Sequence, residues 1–538
     1  PAECLCAPDT DEEAWGLADF IAAEELDRHR GLWWLPGSDA LLIELVDETE
    51  VEIRWIGDPS RPEQAPVAHR YPAAGTANPV VRLFVVQLDG SRLEVAWDRE
   101  AFPYLATVVA DDPRGVVISV LSRDQSQQQI LLLSPDSHEP RLVRTRTTVP
   151  WITLAGGVPC LAPDGRLLEI VANTVDDCFQ LVADDTPLTP AGLNVAALVD
   201  MSADRIVLSA YSDPLDRQVY ALGPDGDLTE LSDGPGVHAA TGGAGGLVVV
   251  STDQHSTGPR YLAMLPQVTG PITSLGERPV VTPRVTFHRV GERELAAAVL
   301  WPTGHVAGST PLPVVLTPYG GPGHSRVTHS AGAFAGDQWL ADQGFAVVVI
   351  DGAGTPGRGP AWEHSVFHDL SAIVLDDQVA GLQALAAIYP DLDLTRVGIT
   401  GWSFGGFLAA LAVLDRPDVF HAAVAGAPCA DLGLYDTAYS ERYLGTPQEQ
   451  PEVYAATSLV RRAAALTRPL LIIHGLADDN VLVAQTLQLS AALLAAGRPH
   501  SVLPLSGVTH MTPQEDVAEN LPRLEVDFLA THLRGAGN

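Results

Sequence analysis

The stretch Ile399–Leu414, "ITGWSFGGFLAALAVL", sets one serine, Ser403, between Gly401 and Gly405 at the junction of two apolar runs. Gly-x-Ser-x-Gly between a strand and a helix forms a nucleophile elbow, a sharp turn that lifts a hydroxyl above the edge of a sheet and needs glycines to clear the neighbouring chain. A serine hydroxyl attacks only when a base removes its proton, and that base needs an acid to fix its tautomer and orientation. Downstream, "PLLIIHG" runs into "LADDNV", which sets Asp478 and Asp479 just past an apolar run. The next run, "HSVLPL", leads into "SGVTHMTPQ", which sets His510 ahead of a final helical stretch. Position alone does not choose between the two aspartates, and His474 reads as a structural residue at a strand end. Acyl transfer also needs donors aimed at the developing oxyanion. One is expected from the backbone N–H of Phe404, and Tyr319, in "TPYGGPGHSRV", is a candidate phenolic donor.

These residues need a scaffold, and from about Thr286 the pattern supplies one. Buried-strand runs at 312–317, 345–351, 396–402, 422–427, 469–475 and 500–505 alternate with helical stretches at 372–388, 404–414, 482–496 and 515–533. Such alternation predicts a parallel sheet wrapped by helices, with the site beyond the carboxyl ends of its strands. Serine, acid, histidine is the triad order of the α/β-hydrolase fold, and this catalytic domain is expected over 281–538. The region before it, 1–280, has another period. From about Arg30 to Gln267, short runs such as "ALLIELVDE", "VVRLFVVQL", "GVVISVLSRD", "QQQILLLSPD" and "GLVVVSTD" alternate apolar and polar residues between Asp, Gly, Pro and Ser clusters. They cluster about 40–50 residues apart, which is the spacing of four-stranded propeller blades. Four or five blades are separable, and a β-sandwich is the alternative.

Composition narrows the function. A chain of 538 residues exceeds one core. The formal charge of −35, with all 32 cations arginine, argues against nucleic acid and anionic membranes. No uninterrupted apolar run reaches the length of a membrane span. Five cysteines, Cys4, Cys6, Cys160, Cys178 and Cys429, show no metal-site spacing beyond the lone Cys4-Leu5-Cys6 and imply no disulfide framework; the acyl-transfer chemistry above needs no metal or cofactor, and none is expected. The opening "PAECLCAPDTDEEAWG" has neither a charged nor an apolar leader region. The expected compartment is cytoplasmic, with export left open by the lack of an initiator Met.

The motifs "GWSFGG", "HGLADDNV", "YGGPGHSRV", "YDTAYSERYLG" and "GLADFIAAEELDRHRGLWW" resemble the prolyl oligopeptidase (S9) family of serine peptidases, and within it the dipeptidyl peptidase IV branch. The resemblance covers nearly the whole chain. It implies Asp478 as triad acid, Asn480 as partner of the substrate carbonyl, and Tyr319 as oxyanion donor. It further implies a flat slot for proline or alanine lined by Tyr435, Tyr439, Val481 and Trp402. Glu24 and Glu25, which without the family read as a solvated helix turn, would clamp the substrate's free amino group; two carboxylates on one ammonium fix its distance from the nucleophile. The implied activity is release of N-terminal Xaa-Pro or Xaa-Ala dipeptides by a homodimer. The alternatives are an acylaminoacyl-peptidase, a prolyl endopeptidase or a catalytically silent propeller interaction protein. Family members carry an eight-bladed propeller that starts well upstream of the acidic pair, and an arginine there assists the substrate carbonyl. With the pair at residues 24 and 25, the propeller is expected to be incomplete by about three blades.

Overall fold

The computed structural model describes residues 4–135, 139–243 and 245–534; the extreme ends of the two expected domains, and Asp136 of "QQQILLLSPD", lie outside them. Among the described residues, the N-terminal part is five antiparallel blades. The first pairs Glu13–Trp15, Ala40–Asp47, Val80–Gln87 and Arg92–Val95 in that order, with Leu32–Trp34 also on Ala40–Asp47. The second runs from Tyr104–Val109 to Arg141–Thr147 and the third from Cys160–Leu161 to Thr186–Pro187. The fourth (Asn194–Met201 to Leu228–Glu230) and the fifth (Val237–Gly243 to Val268–Ile272) are joined by one parallel bridge, Arg217 to Val237. Apolar side chains from both faces of strands such as Val116–Leu121 are buried between neighbouring blades.

Two insertions in the first blade reach towards the C-terminal half. One is the helix Phe20–Glu25, capped by Asp19, whose carboxylate accepts the N–H of Ala22 at 3.2 Å. The cap also meets Arg28, which is buried and ion-paired with Glu44. The other is the hairpin Ile53–Ile56/Val67–Arg70, a separate two-stranded sheet.

From Val285 the chain builds an eight-stranded sheet. In spatial order its strands are Val285–Val290, Leu295–Leu300, Ala346–Asp351, Leu312–Leu316, Leu392–Trp402, Ala422–Gly426, Leu470–Gly475 and Ser501–Leu505. The first two pair antiparallel and the other six run parallel. Period-two alternation feeds both faces: Ala346, Val348 and Ile350 pack towards helices Ala372–Ile388, Phe404–Asp415 and Ala484–Ala495, whereas Val347 and Val349 pack towards Ala335–Asp342 and Glu515–Leu533. This strand order with helices on both faces is the α/β-hydrolase architecture. Among the described residues no helix is long and apolar enough to cross a membrane.

Candidate active site

Ser403 stands between Trp402, the end of the fifth strand in chain order, and Phe404, the start of a helix, with φ +59° and ψ −119°. This left-handed backbone is costly for a non-glycine residue and is typical of strained functional positions. The turn closes because its neighbours lack side chains: a Cβ on Gly406 would lie 2.1 Å from the Gly426 carbonyl oxygen, and one on Gly405 2.8 Å from that of Pro318. The Ser403 N–H donates to Gly426 O at 2.9 Å. Phe404 opens its helix, so its N–H belongs to the first-turn amides that have no intrahelical acceptor. Tyr319 lies beside it, with ring centroids 6.3 Å apart, and burial pushes its phenol up, as do Cys429 and Glu25.

Of the two aspartates, Asp478 is buried and Asp479 exposed. His510 Nδ1 lies 2.8 Å from Asp478 Oδ2, while the N–H groups of Asn480 and Val481 donate to Oδ1 at 3.0 and 2.9 Å. Burial pushes the Asp478 carboxyl up, but hydrogen bonds from His474 and His510 outweigh it and hold the carboxyl below its ordinary value. With Nδ1–H committed to the aspartate, Nε2 of a neutral His510 is left as an acceptor. His474 is therefore more than a strand-end residue. Its Nε2 sits 3.3 Å from Asp478 Oδ2 and 2.7 Å from Val481 O, and its Nδ1 is 2.7 Å from Thr486 Oγ1.

The acidic pair arrives from the propeller. Asn480 Nδ2 donates to Glu24 Oε2 at 2.7 Å, Tyr435 Oη donates to Asn480 Oδ1 at 3.1 Å, and Tyr71 Oη donates to Asn480 O at 2.9 Å. Arg442 donates to the backbone oxygen of Glu25 at 3.3 Å, tying this helix to Thr437–Leu444. Burial, and then the neighbouring Asp436 carboxyl, push Glu25 well up, and burial pushes Asp436 to about 6. Tyr435 and Tyr439 meet edge to face at 5.3 Å and share one apolar cluster with Val481. The Tyr439 hydroxyl is buried with no partner among the described residues.

Trp402 does not join them. Strand alternation turns it, with Thr400, towards the opposite face of the sheet, where it packs against the cluster of Leu529 and Phe334. Its indole N–H donates to His510 O at 2.9 Å. It braces the histidine loop instead of lining the slot, and strand parity along 392–402 is the signal that could have placed it.

An elbow serine, a buried Asp–His pair and two adjacent glutamates brought in by a propeller define a serine hydrolase. Residues 8–257 match the dipeptidyl peptidase IV N-terminal region and residues 334–536 the prolyl oligopeptidase family. Human dipeptidyl peptidase 8 is 27% identical over 93% of this chain and 67% of its own length. Dipeptidyl peptidase 4 of Felis catus is 24% identical over 90% of the chain and 69% of its own length. The crystal structure of Porphyromonas gingivalis dipeptidyl peptidase 4 superposes with a TM-score of 0.87 at 23% identity, covering 98% of this chain and 78% of that one. The chain belongs to the dipeptidyl peptidase IV branch of the prolyl oligopeptidase family, and it is a serine peptidase.

Proposed function

We propose that the chain releases Xaa-Pro and Xaa-Ala dipeptides from peptides with an unblocked N-terminus. The observation that carries this reading is the Glu24–Asn480 hydrogen bond, which holds a propeller carboxylate two residues from the acid of the Asp478–His510 pair. The substrate ammonium docks on Glu24 and Glu25, displacing Asn480 from Glu24 towards the substrate's backbone carbonyl. The second side chain enters the slot of Tyr435, Tyr439 and Val481. Ser403 Oγ then attacks the second carbonyl while His510 Nε2 takes its proton and Asp478 steadies the imidazolium. Tyr319 and the Phe404 N–H stabilise the oxyanion. His510 returns the proton to the leaving amine as the C–N bond breaks, and water, deprotonated by the same base, hydrolyses the acyl-enzyme. These steps call on no metal or cofactor.

A homodimer and a cytoplasmic location belong to the same proposal. All five cysteines are free, three of them buried, which suits a reducing compartment. The deciding experiment compares Gly-Pro anilide with its N-acetylated form, using Ser403→Ala and the double variant Glu24→Ala/Glu25→Ala. Cleavage of the free amine alone, lost in both variants, supports the reading. Equal cleavage of both substrates replaces it with an acylaminoacyl-peptidase or prolyl endopeptidase. No cleavage, together with no labelling of Ser403 by a fluorophosphonate, makes the chain a silent propeller protein.

A further inference from the structure

A cavity of about 650 Å3 opens on the face of the sheet turned away from the amine ledge. Tyr319 and Trp402 form its wall nearest the elbow, and Trp339, Leu340, Pro522 and Leu529 line much of the rest. The cavity adjoins the histidine loop through Trp402, whose indole N–H donates to His510 O. The acyl half of a substrate is held on the side of Glu24, Glu25 and Tyr435, so the departing amine must leave beside the imidazole that protonates it.

The charges in the cavity nearly cancel. Arg326 pairs with Asp337 at 2.7 Å, and Arg523 pairs with Glu519 at 2.9 Å. One carboxylate remains. Glu525 accepts a hydrogen bond from Thr400 Oγ1 at 3.1 Å and has no cationic partner among the described residues. Burial pushes its carboxyl up to about 7, with only the Thr400 hydroxyl pulling the other way. An apolar, tryptophan-bearing cavity with a single uncompensated carboxylate complements a long aliphatic stem that ends in a cation.

We infer that this cavity is a leaving-peptide subsite in which Glu525, which lines it together with Trp339 and Trp402, selects a lysine or arginine at the first or second position after the scissile bond. The inference rests on the dipeptide-releasing reading, so its test separates the two. Gly-Pro-Lys-Ala and Gly-Pro-Ala-Lys amides are compared with counterparts in which norleucine, which keeps the stem and lacks the charge, replaces lysine. At one position lysine is expected to raise kcat/KM at least about tenfold, the worth of one charge-assisted hydrogen bond. Glu525→Gln is expected to bring the ratio close to one while leaving Gly-Pro anilide, which has no leaving peptide, within twofold. A ratio near one at both positions in the unaltered enzyme, or a preference that survives Glu525→Gln, overturns the inference. Isothermal titration of the Ser403→Ala protein with Lys-Ala amide, Ala-Lys amide and the norleucine counterpart of each reads the cavity without turnover. Equal affinity within both pairs overturns the inference even if the anilide is never cleaved.

Discussion

Asp478 and Asp479 are adjacent in sequence and differ in almost every physical respect. Asp478 is buried, accepts two backbone N–H groups and meets two imidazoles, whereas Asp479 points to solvent. Asp478→Asn should therefore lower kcat by about 10⁴, because an amide there favours the wrong tautomer of His510, and Asp479→Asn should leave kcat unchanged. Steady-state kinetics of the pair checks this, and equal losses would reject the assignment. The acidic ledge gives a second prediction with a definite sign. Glu25 is held above the ordinary carboxylate range, first by burial and then by Asp436. In the proposed clamp, Glu25 takes up a proton as the pH falls through that raised value, and its attraction for the substrate ammonium fades. Replacing Asp436 with asparagine removes the second cause, so the acid limb of kcat/KM on Gly-Pro anilide should move to lower pH. A limb that stays in place, or moves up, would separate Glu25 from amine binding.

Elements decide how these residues meet. Gly406 is required by a close approach, since a Cβ there would fall 2.1 Å from a backbone oxygen that cannot give way without moving the neighbouring strand. Gly406→Ala should cost about 1–3 kcal/mol or more, as overpacking does, and should lower both the melting temperature and kcat; unchanged values would mean that the elbow can relax. The helix Phe20–Glu25 depends on its cap, and Asp19→Ala should remove about 1 kcal/mol while raising KM for Gly-Pro anilide more than it changes kcat. Loss of kcat alone would contradict a purely binding role for this helix. Much of this scale was legible in the sequence. The Gly-Ser-Gly junction, the strand-to-helix alternation after residue 286 and the period-two runs before it correspond to the elbow, the eight-stranded sheet and the five blades. What was not legible depends on contacts across long stretches of chain or on side-chain direction. Glu24 and Asn480 are 456 residues apart, and no local period connects them. His474 has the same sequence signature whether it merely fills a strand end or steadies Asp478. Trp402 was expected in the slot from resemblance, yet the pleat of its own strand sends it to the other face. The hairpin at 53–70 alternates like any blade strand, and its pattern does not say that it leaves the blade.

That hairpin leads to the largest scale. A lone two-stranded hairpin is marginal in water, and this one is steadied from beneath by the catalytic half: His69 Nε2 lies 3.2 Å from Asp479 O, Ser60 Oγ is 2.6 Å from Ser506 Oγ, and Tyr71 follows immediately with its bond to Asn480. Its other face carries Ile53 and Trp55, two residues apart and so on the same side, with Trp55 66% exposed and Ile53 39% exposed. An exposed tryptophan and isoleucine side by side on this hairpin arm are where the proposed homodimer is to be tested first. A chain with a net charge of −35 resists indiscriminate association, so an apolar contact that holds two such chains must be localised and self-complementary. A two-fold pair of arms meets both conditions. The expected outcome is a dimer by light scattering at micromolar concentration, converted to monomer by Trp55→Glu, a substitution whose side chain touches neither His69 nor Tyr71. Because the same arm carries Tyr71 to Asn480, the monomer should also show a raised KM for free-amine substrates, restored in part at high protein concentration by a milder variant such as Trp55→Ala. A native monomer would discard the arm as an interface, and a Trp55→Glu dimer would move the contact elsewhere on the molecule. A monomeric variant with unchanged KM would keep the interface but separate assembly from the site.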